Sequence, residues 1–323
     1  MFIEKIKQTI KKFNLISKGD KILIAVSGGP DSLALLRVFF ELHKALKLDL
    51  CVAHLDHMLR EGSNKDRLFV ENLAKKLGMN ILSGQVDLKK CGQKGSLEEI
   101  ARNIRMDFLF KIAQDTQCDA IALGHNLDDQ AETVLMRLLR GAGLYGLCGI
   151  MPARTIRGHR IIRPLLEVSR KEIIGFLKKR KLVPLFDKTN LDDVYFRNKI
   201  RNRLIPLLEK EYNPNIKNVL ANMAQVVSWE YDYLINVAQL KSQGLGKSMA
   251  IDKLLRLHPA IRRLIFRLAI RGLQGNMRRI TFQHISEIED LLLNRPLNSI
   301  VDLPKCISVA KKKKTLLFYR RNK

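Results

Sequence analysis

The sequence predicts an α/β fold: a doubly wound parallel sheet over residues 1–205, then a mostly helical domain over 206–323 closed by a terminal β-hairpin. Three observations predict it. Residues 20 to 125 alternate between short apolar runs and longer amphipathic ones. Strand-like runs stop after about Phe196, and helical periodicity takes over. Two β-prone runs then flank Lys311 to Lys314 near the end of the chain.

The first region reads in order. "KILIAV" (21–26) is a buried strand and "LALLRVFFELHKAL" (33–46) a helix. "LDLCVAHL" (48–55) is a strand, and "NKDRLFVENLAKKLG" (64–78) a helix stopping at Gly78. "NILSGQVDL" (80–88) is a weaker strand, followed by a helix over 96–116 with Ser96 and Glu99 as a capping box. "CDAIALGH" (118–125) is a strand and "LDDQAETVLMRLLRG" (127–141) a helix. Such alternation implies right-handed crossovers and a parallel sheet covered on both faces. Ahead of it, Phe2, Ile3, Ile6, Ile10 and Phe13 recur at helical spacing, which suits a small amphipathic helix rather than a signal peptide. Further on, Asn213-Pro214 opens a long helix to about Leu240, and "PAIRRLIFRLAIRGL" and "ITFQHISEIEDLLLN" are two more.

Composition narrows the partners. The 58 Lys and Arg against 32 acids give a net charge of +26. Such an excess fits a polyanionic partner, because neutralising phosphates releases counterions; a solubility role is the bland alternative. No stretch reaches eighteen apolar residues, so no membrane partner is expected. Five cysteines, with no CxxC pair, argue against a disulfide framework or a zinc knuckle and fit a reducing cytoplasm.

Ligands in open α/β sheets bind beyond the carboxyl ends of the strands. Three polar clusters fall there: Ser27 to Ser32 after the first strand; His54, Asp56, His57 and Arg60 after the second; His125, Asp128, Asp129, Glu132 and Thr133 after the fourth. In the first, Gly28 and Gly29 permit a tight bend and close approach to a ligand. The helix that follows offers its N-terminal N–H groups to an anion. Ser27 and Ser32 can donate to phosphate oxygens; alternatively, Ser32 is simply the helix N-cap. Neither "GLGKSM" (244–249) nor Gly141, Gly143 and Gly146 makes a phosphate loop, since neither follows a strand.

"SGGPDS" resembles the SGGxDS pyrophosphate loop of the ATP pyrophosphatase (PP-loop) superfamily. "HLDHMLR", "SLEEIARNIRMDFL", "GHNLDDQAETVLMRLLRG", "IIRPLL" and "DKTNLDDVYFRNKIRNRLIPLL" resemble, in order, segments of the tRNA(Ile)-lysidine synthetase family. The resemblance is strong over about residues 20 to 210 and looser beyond. "DKTN" departs from a family pattern that usually has serine before the Asn. The chain is also shorter than many members, so contacts made by their further C-terminal domain are expected to have no counterpart here.

The resemblance implies an ATP-binding catalytic domain over 1–205 and a basic tRNA-binding domain over 206–323. The implied reaction joins free lysine to the wobble cytidine of an isoleucine tRNA with a CAU anticodon, giving lysidine, AMP and pyrophosphate. ATP is the co-substrate; its loop would comprise Ser27, Gly28, Gly29, Pro30, Asp31 and Ser32, with His54 nearby, and Asp31 would hold Mg²⁺. Asp128, Asp129 and Glu132 would serve lysine or the chemistry, although acids near a helix start are common without any such role. Arg105, one helical face from Arg102, would offset their charge. Arg197, Asn198 and Arg201, and Arg263 and Arg267 with Arg271, are the RNA-facing candidates, each equally readable as a solvated face; Arg137 and Arg140 are weighed alongside them. A homodimer stays open. The rivals are a PP-loop tRNA thiolase, which usually needs paired cysteines, an amidating enzyme, and a non-catalytic RNA-binding protein on the same fold.

Overall fold

The computed structural model describes residues 1–58, 63–88, 97–185, 195–243 and 246–321. Arg60, Cys91, Ser96 of the expected capping box, the "DKTN" segment and Gly244 lie outside the described residues.

The chain forms two compact units, Met1–Ser228 and Trp229–Lys323. In the first, among the described residues, six strands make one sheet: β1 (Lys21–Ala25), β2 (Asp49–Asp56), β3 (Asn80–Gln85), β4 (Ala120–Ala122), β5 (Ala153–Ile156) and β6 (His159–Ile162), in the order β3-β2-β1-β4-β6-β5. Pairing is parallel except at the edge, where β5 runs antiparallel to β6. The sheet is therefore mixed. Its last hairpin escaped the sequence reading because each strand has four residues, too few to show a period.

Side chains alternate across the sheet as a pleat requires. Ile22, Ile24, Val52, Ala120, Ala122 and Ile162 join the core beneath α1 (Phe2–Lys12), α2 (Pro30–Leu46), α3 (Ser63–Lys76) and α7 (Arg170–Lys179). Leu23, Cys51, Ala53, Ile121 and Ile161 join Leu109, Phe110, Ile112 and Ala113 of α4 (Leu97–Asp115) on the other face. Burying both faces explains the near-continuous apolar strands. Helix α5 (Leu127–Leu139) follows β4, and a short α6 (Leu144–Leu147) follows it.

β1 has β2 on one side and β4 on the other, so the strand order reverses between β1 and β4. The crevice at that point is where an open α/β sheet takes its ligand.

Helix α8 (Phe196–Lys199) passes through a π-helical turn at Ile200–Leu204 into α9 (Ile205–Glu211). Then α10 (Ile216–Ser242) begins, and the division between the two compact units falls inside it. The cause is packing: Leu220 and Ala224 bury against Val134, Leu135, Ile200 and Ile205.

The second unit is less purely helical than expected. β9 (Ile307–Lys311) and β10 (Thr315–Arg320) form the predicted hairpin, but β7 (Ser248–Ala250) and β8 (Ile300–Leu303) extend it to a four-stranded antiparallel sheet, β7-β10-β9-β8. Phe318 from the sheet meets Phe266 of α12 (Pro259–Gln274), beside Ile285, Ile288 and Leu291 of α13 (Phe282–Leu293). Between β7 and α12 lies α11 (Ile251–Leu255). No described helix is long and apolar enough to cross a membrane.

Candidate active site

The glycine loop joins β1 to α2. Gly28 has φ +88, a left-handed conformation that glycine adopts without a Cβ clash. Its carbonyl accepts from the Leu185 amide at 3.0 Å, and Leu185 packs where a Cβ on Gly28 would sit. Gly29 is the N-cap of α2, Pro30 occupies its first turn, and no side chain caps it. The alternative of Ser32 as N-cap is thus not adopted. Its hydroxyl instead accepts from the Ser27 amide at 3.2 Å, donates to the Gly29 carbonyl at 3.0 Å, and lies 3.3 Å from the Ser27 hydroxyl. A loop held by its own hydroxyls ahead of an uncapped helix start suits an anion.

A cleft of about 230 Å³ opens over this loop. Ser27, Asp31, Ser32, His57, Arg105 and His125 supply its polar wall, while Ala25, Ala53, Leu55, Leu109 and Leu123 supply an apolar one. His54 is not in the wall. It is buried beneath the loop, and its Nδ1 donates to the Val26 carbonyl at 2.8 Å, which braces the end of β1.

Asp31 is the cleft's main carboxylate. Burial pushes its pKa up to about 6; Arg170, with Nη1 4.0 Å away, pulls the other way, as does the hydrogen bond from Asn126, and Asp129 adds to the rise. Asn126 Nδ2 donates to Asp31 Oδ1 at 2.9 Å. His57 is pushed down by burial first and then by the Arg105 charge. His125 is driven well below its ordinary range by burial and surrounding arginines, so it is neutral near pH 7.

The acidic cluster divides. Asp128 turns away from the cleft: it accepts from the Arg170 amide at 2.8 Å and pairs with Lys217 at 2.9 Å, bracing α5 against α7 and α10. Asp129 and Glu132 meet the arginines of α8 and the π turn. Arg197 reaches Asp129 at 2.8 Å and Glu132 at 2.7 Å. Arg201 reaches Glu132 at 2.5 Å and Asp129 at 3.4 Å. Glu132 is only 1% exposed, so such pairing is what permits its charge. Burial raises the Asp129 pKa against the pull of Arg197. The structure thus joins two sets that the sequence reading had kept apart, the acids and the arginines of "RNKIR". Asn198 sits between those arginines on α8.

In the second unit, Arg263 donates to Ser286 at 2.8 Å, lies 3.5 Å from Glu289 and stacks over Phe282. Burial lowers the Arg267 pKa. The stripe of α12 that enters the core is Arg262, Ile265, Phe266 and Ile270, and Arg262 is bound to Glu289 at 2.6 Å. A charged residue can sit in this stripe because Glu289 neutralises it.

Asn126, Gly124, Leu185, Arg170 and Lys217 also shape the site, and the sequence reading named none of them. Asn126 had a signal: Asn directly before "LDD", with Asp129 three residues on, is a capping box, and the structure contains it. The others carry no local pattern.

Comparison with known proteins also recognises two parts of the chain. A PP-loop domain model matches residues 1–208, and a TilS substrate binding domain model matches 249–310. The tRNA(Ile)-lysidine synthase of Clostridioides difficile is 37% identical over 98% of this chain and 70% of its own length. That of Clostridium tetani is 37% identical over 90% of this chain and 63% of its own, and that of Caldanaerobacter subterraneus 37% over 94% and 66%. The chain therefore spans about two thirds of the length of these relatives. Among solved structures, the U34-tRNA thiolase NcsA of Methanococcus maripaludis, solved with its [4Fe-4S] cluster, superposes with a TM-score of 0.59 over 70% of this chain and 79% of its own at 19% identity, a likeness of fold alone.

Proposed function

Since the chain belongs to the tRNA(Ile)-lysidine synthase family of PP-loop proteins, we propose that it ligates lysine to the wobble cytidine of an isoleucine tRNA with a CAU anticodon, using ATP. The observation that carries this reading is the bridge from Asn126 to Asp31, which sets the acid pair Asp129–Glu132 beside the phosphate loop at one sheet edge.

The cytosine 2-carbonyl is a poor electrophile, so its oxygen first attacks the α-phosphate of ATP and pyrophosphate leaves. The lysine ε-amine then attacks C2, loses a proton, and AMP departs with the former carbonyl oxygen. Each residue has a task in this scheme. The uncapped start of α2, with Ser27 and Ser32, holds the departing pyrophosphate. The apolar wall at Leu55, Leu109 and Leu123 takes the base of ATP. Arg105 faces the negative charge that develops in the cleft. Asp129 and Glu132 hold the incoming amine, with Arg197 and Arg201 keeping both carboxylates in place until it arrives.

No described group of three or more His, Cys, Asp or Glu could cage a metal. Asp31 still fits Mg²⁺, which takes one or two carboxylates and completes its shell with phosphates and water. When bound there, the ion would offset phosphate charge. Acting on ATP, free lysine and tRNA, the protein belongs in the cytoplasm.

The test is nucleoside mass analysis of tRNA incubated with the protein, ATP and isotopically labelled lysine. Labelled lysidine is expected at the wobble position. Pyrophosphate release without a lysine adduct would point to another PP-loop chemistry.

A further inference from the structure

Beside the nucleotide cleft, and sharing His125 with it, lies a second, smaller cavity of about 90 Å³. Arg102, Arg137, Arg154, Arg163 and Arg197 line it, from α4, α5, β5, the segment after β6, and α8. No carboxylate is among its described lining residues. His125 lines both cavities, so they meet at that side chain.

Such convergence is unfavourable without a counter-ion. Arg197 is neutralised by Asp129 and Glu132, but the other four have no acid in the cavity wall. Arg163 is 93% buried, being 7% exposed. Its Nη1 donates to the Met151 carbonyl at 2.7 Å, while its buried Nε has no partner. Burial, then the charges of Arg102 and Arg154, push its pKa down to about 10, so it remains a cation near neutral pH. Arg137 donates from Nη1 to the carbonyls of Gly146 and Gly149 at 2.9 and 2.7 Å, which fixes that guanidinium in the cavity wall. Fixed arginines around a buried, unpartnered N–H make a built oxyanion site.

We propose that this arginine cavity takes a backbone phosphodiester of the RNA substrate, next to the nucleotide being modified; the inference rests on the function proposed above. Two features favour a phosphodiester over a small anion. Arg102 and Arg154 are exposed at the surface, so a chain can pass across the mouth. The cavity also adjoins the cleft through His125, so a flanking phosphate can be clamped while the base enters the cleft. Enzymes that act on a base take it out of the stack, and phosphate contacts fix the register.

The test uses the full chain and an anticodon stem–loop RNA in which each phosphate in turn is replaced by a neutral methylphosphonate. One neutral linkage beside the target cytidine is expected to weaken wild-type binding about tenfold, the size of a lost charge-assisted contact. Arg154→Gln, at an exposed position, should weaken binding of unmodified RNA similarly and leave ATP affinity unchanged. The two losses should not add at that one linkage. Arg163→Lys, which keeps the charge and loses the fork, should reproduce the effect, at a lower melting temperature because the buried bond to the Met151 carbonyl is lost. Losses that add at every linkage, or unchanged RNA affinity with a raised KM for lysine, would overturn the proposal; the latter would assign the cavity to the amino acid's carboxylate. Lysidine formation by the wild type separates the two readings. If it occurs while the losses add, the phosphate site falls and the function stands. If it is absent while the losses stay non-additive, the phosphate site stands and the function falls.

Discussion

Asn126 holds Asp31 and caps a helix with the same side chain. Its Nδ2 donates to Asp31 Oδ1 at 2.9 Å, and its Oδ1 accepts from the Asp129 amide at 3.0 Å. It is 1% exposed, so neither bond is shared with bulk water. One buried amide therefore couples the start of α2 to the start of α5. Asn126→Ala should cost about 2 kcal/mol, roughly one for the cap and one for the bond to the carboxylate. It should also raise the Asp31 pKa further, because that bond favours the charged form. Urea melts and the pH midpoint of AMP formation test both; an unchanged midpoint would mean that the bond does not tune Asp31.

The raised Asp31 pKa has a signed consequence. Its folded value is about 6 against 3.8 for the free group, so between pH 4 and 6 the folded state binds more protons than the unfolded state. Stability therefore falls as pH rises through that window, and the penalty is constant above it. Asp31→Asn removes the penalty. Without nucleotide or metal, the variant should gain roughly 2–3 kcal/mol over wild type at pH 7 and little at pH 4, taking ~1.4 kcal/mol per pH unit. Activity should move oppositely: AMP formation by wild type should fall below about pH 6, and the variant should form none. A stability difference that is flat with pH would sink the argument.

The first turn of α2 and the segment just after β4 approach too closely for a side chain. A Cβ on Gly124 would lie 3.0 Å from the Asp31 carbonyl carbon and 3.1 Å from the Ser32 amide nitrogen. Those are backbone atoms and cannot swing aside. Gly124→Ala should cost about 1–3 kcal/mol by overpacking and weaken ATP binding. At Gly28 the added Cβ would meet Leu185 Cδ1 at 2.5 Å, in a backbone with φ +88. Leu185→Ala should rescue only part of a Gly28→Ala defect, since it relieves the clash and not the backbone. Full rescue in calorimetric ATP titrations would refute the φ argument.

The acid–arginine network should show itself in a double-mutant cycle. Glu132→Gln leaves Arg201 and Arg197 short of a counter-charge at a buried position, at a cost of about 3 kcal/mol. Adding Arg201→Gln should restore part of that loss, with a coupling of at least ~1 kcal/mol. In single turnover, Glu132→Gln should still release pyrophosphate from ATP and tRNA yet fail to complete the product at ordinary lysine concentrations. Loss of pyrophosphate release would assign the acid pair to ATP.

Unit-two arginines should separate by their partners. Arg263 is engaged by Ser286, Glu289 and Phe282, so Arg263→Ala should lower thermal stability. Arg271 is exposed, and charge reversal there and at Arg267 should weaken tRNA binding and reduce the salt slope by up to about 0.9 per lost duplex contact. An unchanged slope would make these side chains merely solvated.

By itself the sequence determined the alternating elements of the first unit, because apolar period and turn chemistry are local. It also determined the loop at Ser27–Ser32, since a glycine pair between a strand and a helix has few other uses. Its charge of +26 indicated a polyanionic partner. Only the tertiary structure decided which charges meet. Arg197 and Arg201 lie more than sixty residues from Asp129 and Glu132, and no periodicity links them. Asp128 and Asp129 are neighbours in sequence, yet a helical turn of about 100° per residue sends one to Lys217 and the other to the arginines. The β5–β6 hairpin and the strands β7 and β8 were invisible for a related reason: segments of three or four residues become strands only when a partner supplies their hydrogen bonds.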